Sequence, residues 1–526
     1  MRRKKAVIGA ALLLLSSVGA AGQETAAASA AHALCASGGD YVDPAILERA
    51  VPLREGIGKI SQRVTTASGE AQAYYDQGLA YLHSYVWIEA ARSFREAIRR
   101  DGKLAMAWMG LARAEQAMNR DTAAAEAIAK ARTLSAGASK REATFVALRA
   151  EQIAAQEAPP EEESAKHDAY KRAIERAIAA HPEDAELWVL RGNAEEPGPW
   201  GRGQAGGVGA IAYYEAALSR FPGHFGAHHY LIHAFENVGR HAEAAVHGKI
   251  YAEAAPRVAH AQHMYGHVLP RLGRWKEALE QFAKADAIER EYARAENLRP
   301  GDDWHHVHNL QLLGFTYLRL GRLHDAEVSF RRAFATPVRY PIYGWQHATL
   351  AEYLLLTGRA EEALRSARAL ADRTPGARAA GAAVEGEVLL ALGRTDEARE
   401  AARRAARLLA EGRKAAGSQA RWLDRFVGPY VRQLEAELGL GGAGAKAAEA
   451  ESAVRGIADE LASNPRFDAW GEGLFRLERI AEQAKRAGRG SLAAEIHATM
   501  RRIDPDYAAG STARPLEVSS AGAGTR

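Results

Sequence analysis

Histidine is the residue whose placement in this chain could do chemistry. Nine of the 19 histidines fall between His224 and His267, about a twelfth of the 526 residues. Imidazole binds transition metals through a ring nitrogen and exchanges protons near neutral pH, so the question is whether these side chains meet. Residues three, four and seven apart share one face of a helix. His229 and His233 are an i, i+4 pair with Glu236 three residues on, and His260, His263 and His267 form an i, i+3, i+7 stripe. A third string, "DDWHHVHNLQ", adds His305, His308 and Gln311. Helices packed about 8–10 Å apart would let imidazoles of neighbouring stripes reach one ion at about 2.0–2.1 Å. A histidine and carboxylate set suits Zn, Cu or Fe. The single cysteine, Cys35, excludes an internal disulfide and any cysteine-based metal site.

Helices must carry these stripes, and the sequence punctuates them regularly. From Ala71 onward, helix pairs recur with small and aromatic residues at fixed offsets, as with Gly78, Ala90, Phe94 and Ala97 in "YYDQGLAYLHSYVWIEAARSFREAIRRD". Gly239, Gly273, Gly321, Gly358 and Gly393 end first helices, each suited to a left-handed cap before a tight turn. Second helices follow with Ala244, Ala278, Ala326, Ala363 and Ala398. One helix pair cannot bury its apolar face alone, so pairs must stack. Trp108, Trp275, Phe94, Phe282 and Phe330 read as the packing residues of that stack.

The pattern resembles the tetratricopeptide repeat family over about residues 70–400, with a looser pair from Asp468 to Pro505. The resemblance implies an all-α fold, a helical-hairpin solenoid wound as a right-handed superhelix. It further implies a concave groove lined by first helices at repeat positions 2, 5, 9, 12 and 13. Counted from the terminal glycines, that groove takes His229, His233, Glu236 and Asn237 from one helix and His260, His263, His267 and Arg271 from the next. A third helix supplies His308 and Gln311, with His305 one turn earlier. His228 and His347 fall at a packing position, and His241, His247 and His324 on turns or second helices are expected in solvent. The strings "HHYLIHAFEN", "HAQHMYGHVLPRLGRW" and "HHVHN" are similar to those of exported bacterial members with histidine-rich first helices and no established activity. Tyr265 and Gly266 depart from that group, where Pro-Ser is expected.

Three segments break the period: Lys140–Glu157 running into "APPEEES", the Gly/Pro-rich "EEPGPWGRGQAGGVG" (195–209), and "REYARAENLRPGDD" (290–303). The Gly-rich stretch lacks the Gly-Lys-Ser/Thr ending of a phosphate loop, and residues 197–207 with Trp200 at the tip read as a cover for the groove. Arg2 to Lys5, the apolar run from Ala6 and the small residues near Ala20 read as a signal peptide, 1–22, giving an exported protein, periplasmic or secreted. Residues 23–65 are then an N-terminal extension and 66–410 the solenoid, with its His-rich groove at 224–310. Residues 411–509 form a C-terminal helical segment and 510–526 a disordered tail. With 69 basic and 65 acidic residues the charge is nearly balanced, so nothing calls for nucleic acid. No membrane span is expected after cleavage of the signal. The leading functional expectation is an exported binding protein that holds a peptide, protein partner or small ligand in the His-lined groove. The alternative is a metal-dependent hydrolase or oxidoreductase in which His229, His233, His263 and His267 hold the ion and Glu236 is a ligand or general base.

Overall fold

A computed structural model describes residues 42–505 except 200, 300, 303–304, 338–340, 372, 417–419 and 464–468. The signal peptide, the start of the extension, the tail, Trp200 and Trp304 lie outside the described residues. Every regular element described is helical. A short α1 (Pro44–Leu47) precedes the first hairpins, α2 (Gly69–His83) with α3 (Trp87–Arg100) and α4 (Ala105–Ala117) with α5 (Asp121–Leu134). Next come α6 (Lys140–Gln156) with α7 (Pro160–Ala180), α8 (Ala185–Asn193) with α9 (Val208–Arg220), and α10 (Phe225–Asn237) with α11 (His241–Ala254). They continue through α12 (Ala259–Val268) with α13 (Trp275–Ala295), α14 (His305–Arg319) with α15 (Leu323–Ala335), and α16 (Ala348–Leu356) with α17 (Ala360–Arg368). The described residues end in α18 (Pro375–Ala391), α19 (Thr395–Ala416), α20 (Ala420–Phe426), α21 (Gly428–Leu440), α22 (Gly444–Ser463), α23 (Leu474–Arg486) and α24 (Gly490–Ile503). The architecture is the all-α helical-hairpin solenoid expected, with each pair packed on the next.

The expected punctuation is physical. Gly239, Gly273, Gly321, Gly358 and Gly393 all have φ between 70 and 77°, and Ala244, Ala278, Ala326, Ala363 and Ala398 are fully buried. First-helix glycines admit the aromatic ring of the helix that follows. A Cβ on Gly78 would stand 2.7 Å from the Phe94 ring, and one on Gly314 2.4 Å from Phe330. The same contact explains the departure at Gly266, where a Cβ would stand 3.1 Å from Phe282.

Residues 51–66 and the C-terminal helices both pack onto the stack. Residues 51–66 run extended along α2, whose Gln72, Asp76 and Gln77 accept the backbone N–H groups of Val64, Gln62 and Arg54 at 2.7–3.0 Å. Val51, Ile57, Ile60 and Val64 are buried there. The segment reaches α6 through the Thr65 amide and Glu142 (2.7 Å), and α12's approach through Arg257 N and the Gly56 carbonyl (2.9 Å). The described part of the extension is thus part of the core. Residues 290–295 lengthen α13, and the segment carries Tyr292 to Glu89 (3.0 Å) and Glu296 to Arg92 (2.6 Å) on the first pair. At the other end, Trp470 packs on Trp275 and Phe282, and Phe475 on Phe315 and Phe330.

His347 is structural, as its packing position implies. It is buried, with Nε2 on the Thr336 carbonyl (2.8 Å) and Nδ1 facing Arg373 (2.9 Å). Burial, then the Arg373 charge, lowers its pKa to about 4, whereas the unfolded imidazole titrates near about 6.5. The unfolded chain therefore binds more protons between those values. This contribution is fully present above pH 6.5 and is lost as pH falls toward 4, by about 3 kcal/mol in total. Urea unfolding at pH 7.5 and pH 5 should show about 2 kcal/mol of that loss, and His347→Gln should shrink it. An equal loss in both proteins would contradict this account.

Candidate metal centre

The α10, α12 and α14 stripes do converge, but into an interior. His229, His260, His263 and His305 are buried, under the turn between α2 and α3. Tyr85 in that turn has φ 57°, the left-handed conformation that glycine takes at later repeats. Its ring lies 4.6 Å from His229, 5.2 Å from His260 and 6.2 Å from His233, centroid to centroid. A left-handed tyrosine costs about 1–3 kcal/mol, which the buried ring offsets. Tyr85→Gly relieves the backbone but loses the ring, so thermal unfolding should show a net loss of about 2–3 kcal/mol. An unchanged melting temperature would mean the ring is not packed there.

Hydrogen bonds set the tautomers. His229 Nδ1 donates to the His83 carbonyl (2.6 Å), which leaves Nε2 as a lone pair. That nitrogen faces His260 Nε2 at 3.1 Å, close to the ligand–ligand edge of about 3.3 Å around a tetrahedral ion with bonds of about 2.05 Å. His233 Nε2 is shielded from solvent and has no hydrogen-bond partner among the described residues. One ligand nitrogen from each of His229, His233 and His260 lies within 4.8 Å of the others. Burial, with neighbouring imidazoles adding to it, holds His229 and His260 well below the usual histidine range, and burial brings His233 to about 4. All three are neutral at pH 7, the state a metal requires. A carbonyl holding the far nitrogen, as at His229, is the support typical of metal-bound imidazoles.

The remaining expected residues surround this triad. His263 Nδ1 donates to Asn309 Oδ1 (3.0 Å), an amide fixed by its own bond to the Phe282 carbonyl. His267 Nδ1 meets Glu236 at 2.8 Å, and His305 Nδ1 meets Glu289. Of the residues expected from sequence, the structure brings His260, rather than His263 or His267, beside His229 and His233. The reason is the Tyr85 turn, which gathers the upper ends of the stripes, while Glu236 takes His267. Burial pushes the Glu236 carboxyl up, but His267, Arg271 and His233 outweigh it and leave it below its ordinary value. Such a carboxylate is a weak base, which disfavours the general-base role. His308 faces Gln346 (3.1 Å) and Gln311 donates to Thr349 (2.8 Å). Arg271 lies beyond the end of α12, beside His241 and Trp470. His247 is not simply solvated, since it pairs with His228 at 2.7 Å and stacks on Phe235.

Asn237 donates to the carbonyls of Gln204 and Gly206, both at 2.9 Å, and Tyr85 to that of Arg202. Buried Glu196 accepts the amides of Arg202, Gln204 and Ala205. The Gly-rich segment is thereby strapped beside the centre.

A second group was not foreseen: His83, Glu186 and His224 also lie within 4.8 Å of one another. His224 Nδ1 accepts the Ala227 amide (3.1 Å), so its Nε2 carries the proton and donates to Glu186 (3.0 Å). His83 sits between Glu186 (3.1 Å) and the Tyr230 hydroxyl (3.0 Å). This group is a satisfied hydrogen-bond network with no lone pair to offer from His224. The one sequence signal for this corner is Tyr85, a bulky residue where later repeats carry glycine.

A cavity of about 190 Å³ reaches the triad at Tyr85 and His260, and Trp87, Glu289, Tyr292 and His305 also line it. Three nitrogen ligands and an adjoining space form the open arrangement of catalytic or exchangeable metal sites. No helix among the described residues is long and apolar enough to cross a membrane.

No protein-family model matches the chain, and no curated protein matches it. Among solved structures, a tetratricopeptide repeat protein from Parabacteroides merdae ATCC 43184 is 13% identical over 53% of this chain and 98% of its own. Its TM-score is 0.36, so the reading of the site stands on the geometry alone.

Proposed function

We propose that this chain is a metal-binding protein whose buried centre, His229, His233 and His260, holds one transition-metal ion in a helical-hairpin scaffold. The observation that carries the reading is the lone pair of His229 Nε2, fixed by the His83 carbonyl, within 4.8 Å of ligand nitrogens from His233 and His260. All-nitrogen ligation suits Zn, Cu or Fe. The adjoining 190 Å³ space leaves room for a water or small substrate in the open position, which extends the reading to metal-assisted hydrolysis or oxidation. A peptide in the histidine groove is disfavoured, because His229, His260, His263 and His305 are buried and the Tyr85 ring lies against His229, His233 and His260. A partner-binding role is favoured instead by the open cavity of about 1180 Å³ between residues 60–67, helices α5, α6 and α8 and the turn before α10. Metal analysis of untagged protein, after reconstitution and dialysis, tests the reading. One equivalent is expected, and none after repeated loading would overturn it.

A further inference from the structure

Away from the histidines, Arg113 on α4 and Arg149 on α6 line a cavity of about 480 Å³. Arg149 is only 6% exposed. Its terminal nitrogens donate to neutral amides, Gln152 at 2.6 Å and Gln116, and its Nε has no partner among the described residues. No carboxylate lies within ion-pair distance of Arg113 or Arg149 among the described residues, whereas the other buried arginines each meet at least one: Arg92, Arg191 and Arg479 meet two, and Arg476 meets Glu472 at 3.9 Å. Glu186 borders a small adjoining cavity with both arginines, but it is engaged by His83 and His224. Asp121 and Glu157 sit on the cavity wall, and Glu157 is exposed. Burial, then the neighbouring Arg113 charge, lowers the Arg149 pKa to about 9, as expected for a guanidinium lacking its counter-ion.

A buried charge without a partner is a standing cost to the fold. Such a cost is characteristic of a site whose ligand brings the opposite charge. The rest of the wall suits an organic body: Tyr85, Trp87, Leu190 and Tyr230 are its apolar and aromatic part, and Arg202 lies over Trp87 at 5.6 Å. The Gln152 and Gln156 amides hold the Pro199 carbonyl at 3.1 and 2.8 Å, fastening the Gly-rich segment along one edge. The volume falls within the range of about 300–1,000 Å³ typical of small-molecule sites.

We propose that this cavity binds a small organic anion, with its carboxylate or phosphate group received by Arg113 and Arg149 and its apolar body against Tyr85, Trp87 and Tyr230. Guanidinium pairs recognise both headgroups through charge-assisted hydrogen bonds. The inference is independent of the metal centre and is tested on the full chain after chelation.

Calorimetry and thermal unfolding at low salt would use 3-phenylpropionate, phenyl phosphate and the neutral 3-phenylpropanamide. At least one anion should bind and raise the melting temperature, the amide should not, and the better anion identifies the headgroup. Arg113→Gln should weaken that binding by about tenfold or more. Arg149→Met should abolish the response while raising the melting temperature of the ligand-free protein, because it removes the unpaired charge. The half-buried Arg113→Gln provides the decisive comparison if Arg149→Met does not fold. The proposal is overturned if neither anion outperforms the amide, or if Arg113→Gln binds as wild type does.

Discussion

Untagged protein carrying His233→Ala and His260→Ala should retain less than about a tenth of an equivalent of transition metal, where the wild-type chain retains one. Metal-binding energies of about 10–16 kcal/mol shared among four ligands give on the order of 3 kcal/mol each. Losing two ligands should weaken binding by about four orders of magnitude. Two controls locate the site. His241→Ala with His324→Ala, both outside the triad, should leave the metal in place. His263→Ala with His267→Ala should also leave it, because those imidazoles are engaged by Asn309 and Glu236. Elemental analysis with circular dichroism on each variant reads the outcome. Loss of metal in both double variants, with retention in His260→Ala alone, would move the centre to the set expected from sequence, which shares His233.

The second large effect concerns the joint that holds the C-terminal pair to the stack. Arg479 on α23 forms ion pairs with Glu352 on α16 and Glu387 on α18, and all three are nearly fully buried. Arg479→Met leaves two carboxylates in the interior without their cation, which costs about 3–5 kcal/mol. The urea midpoint should fall accordingly. Adding Glu352→Gln and Glu387→Gln to Arg479→Met removes the stranded charges and should recover most of the loss, since an apolar or neutral replacement of a whole buried ionic group is often near neutral. Failure of the triple variant to recover would assign the loss to packing. A midpoint unchanged in Arg479→Met would show that the pair does not dock there.

Much of the scaffold was legible because its determinants are local. Gly239 and Gly273 end their first helices because a left-handed residue is required within one turn. Ala244 and Ala278 are buried because a close helix crossing admits nothing larger. The histidine stripes could be read from a 3.6-residue period alone. The N-terminal extension was not legible. Residues 51–66 show no helical period, and their backbone is satisfied by Gln72, Asp76 and Gln77 on α2, a pairing that no local pattern announces.

The sequence by itself determined the hairpins, their stacking order and the faces on which His229, His233, His260, His263 and His267 lie. These follow from residue spacing within single helices and from the need of each pair for a neighbour. Only the tertiary structure decided that His229, His260, His263 and His305 are buried, that the Tyr85 ring lies against the stripes, and that His260, rather than His263 or His267, stands beside His229 and His233. The deciding bond, from His229 Nδ1 to the His83 carbonyl, spans 146 residues. Such a contact depends on the curvature accumulated over several stacked pairs, and small rotations at each interface sum to a position that no single repeat encodes.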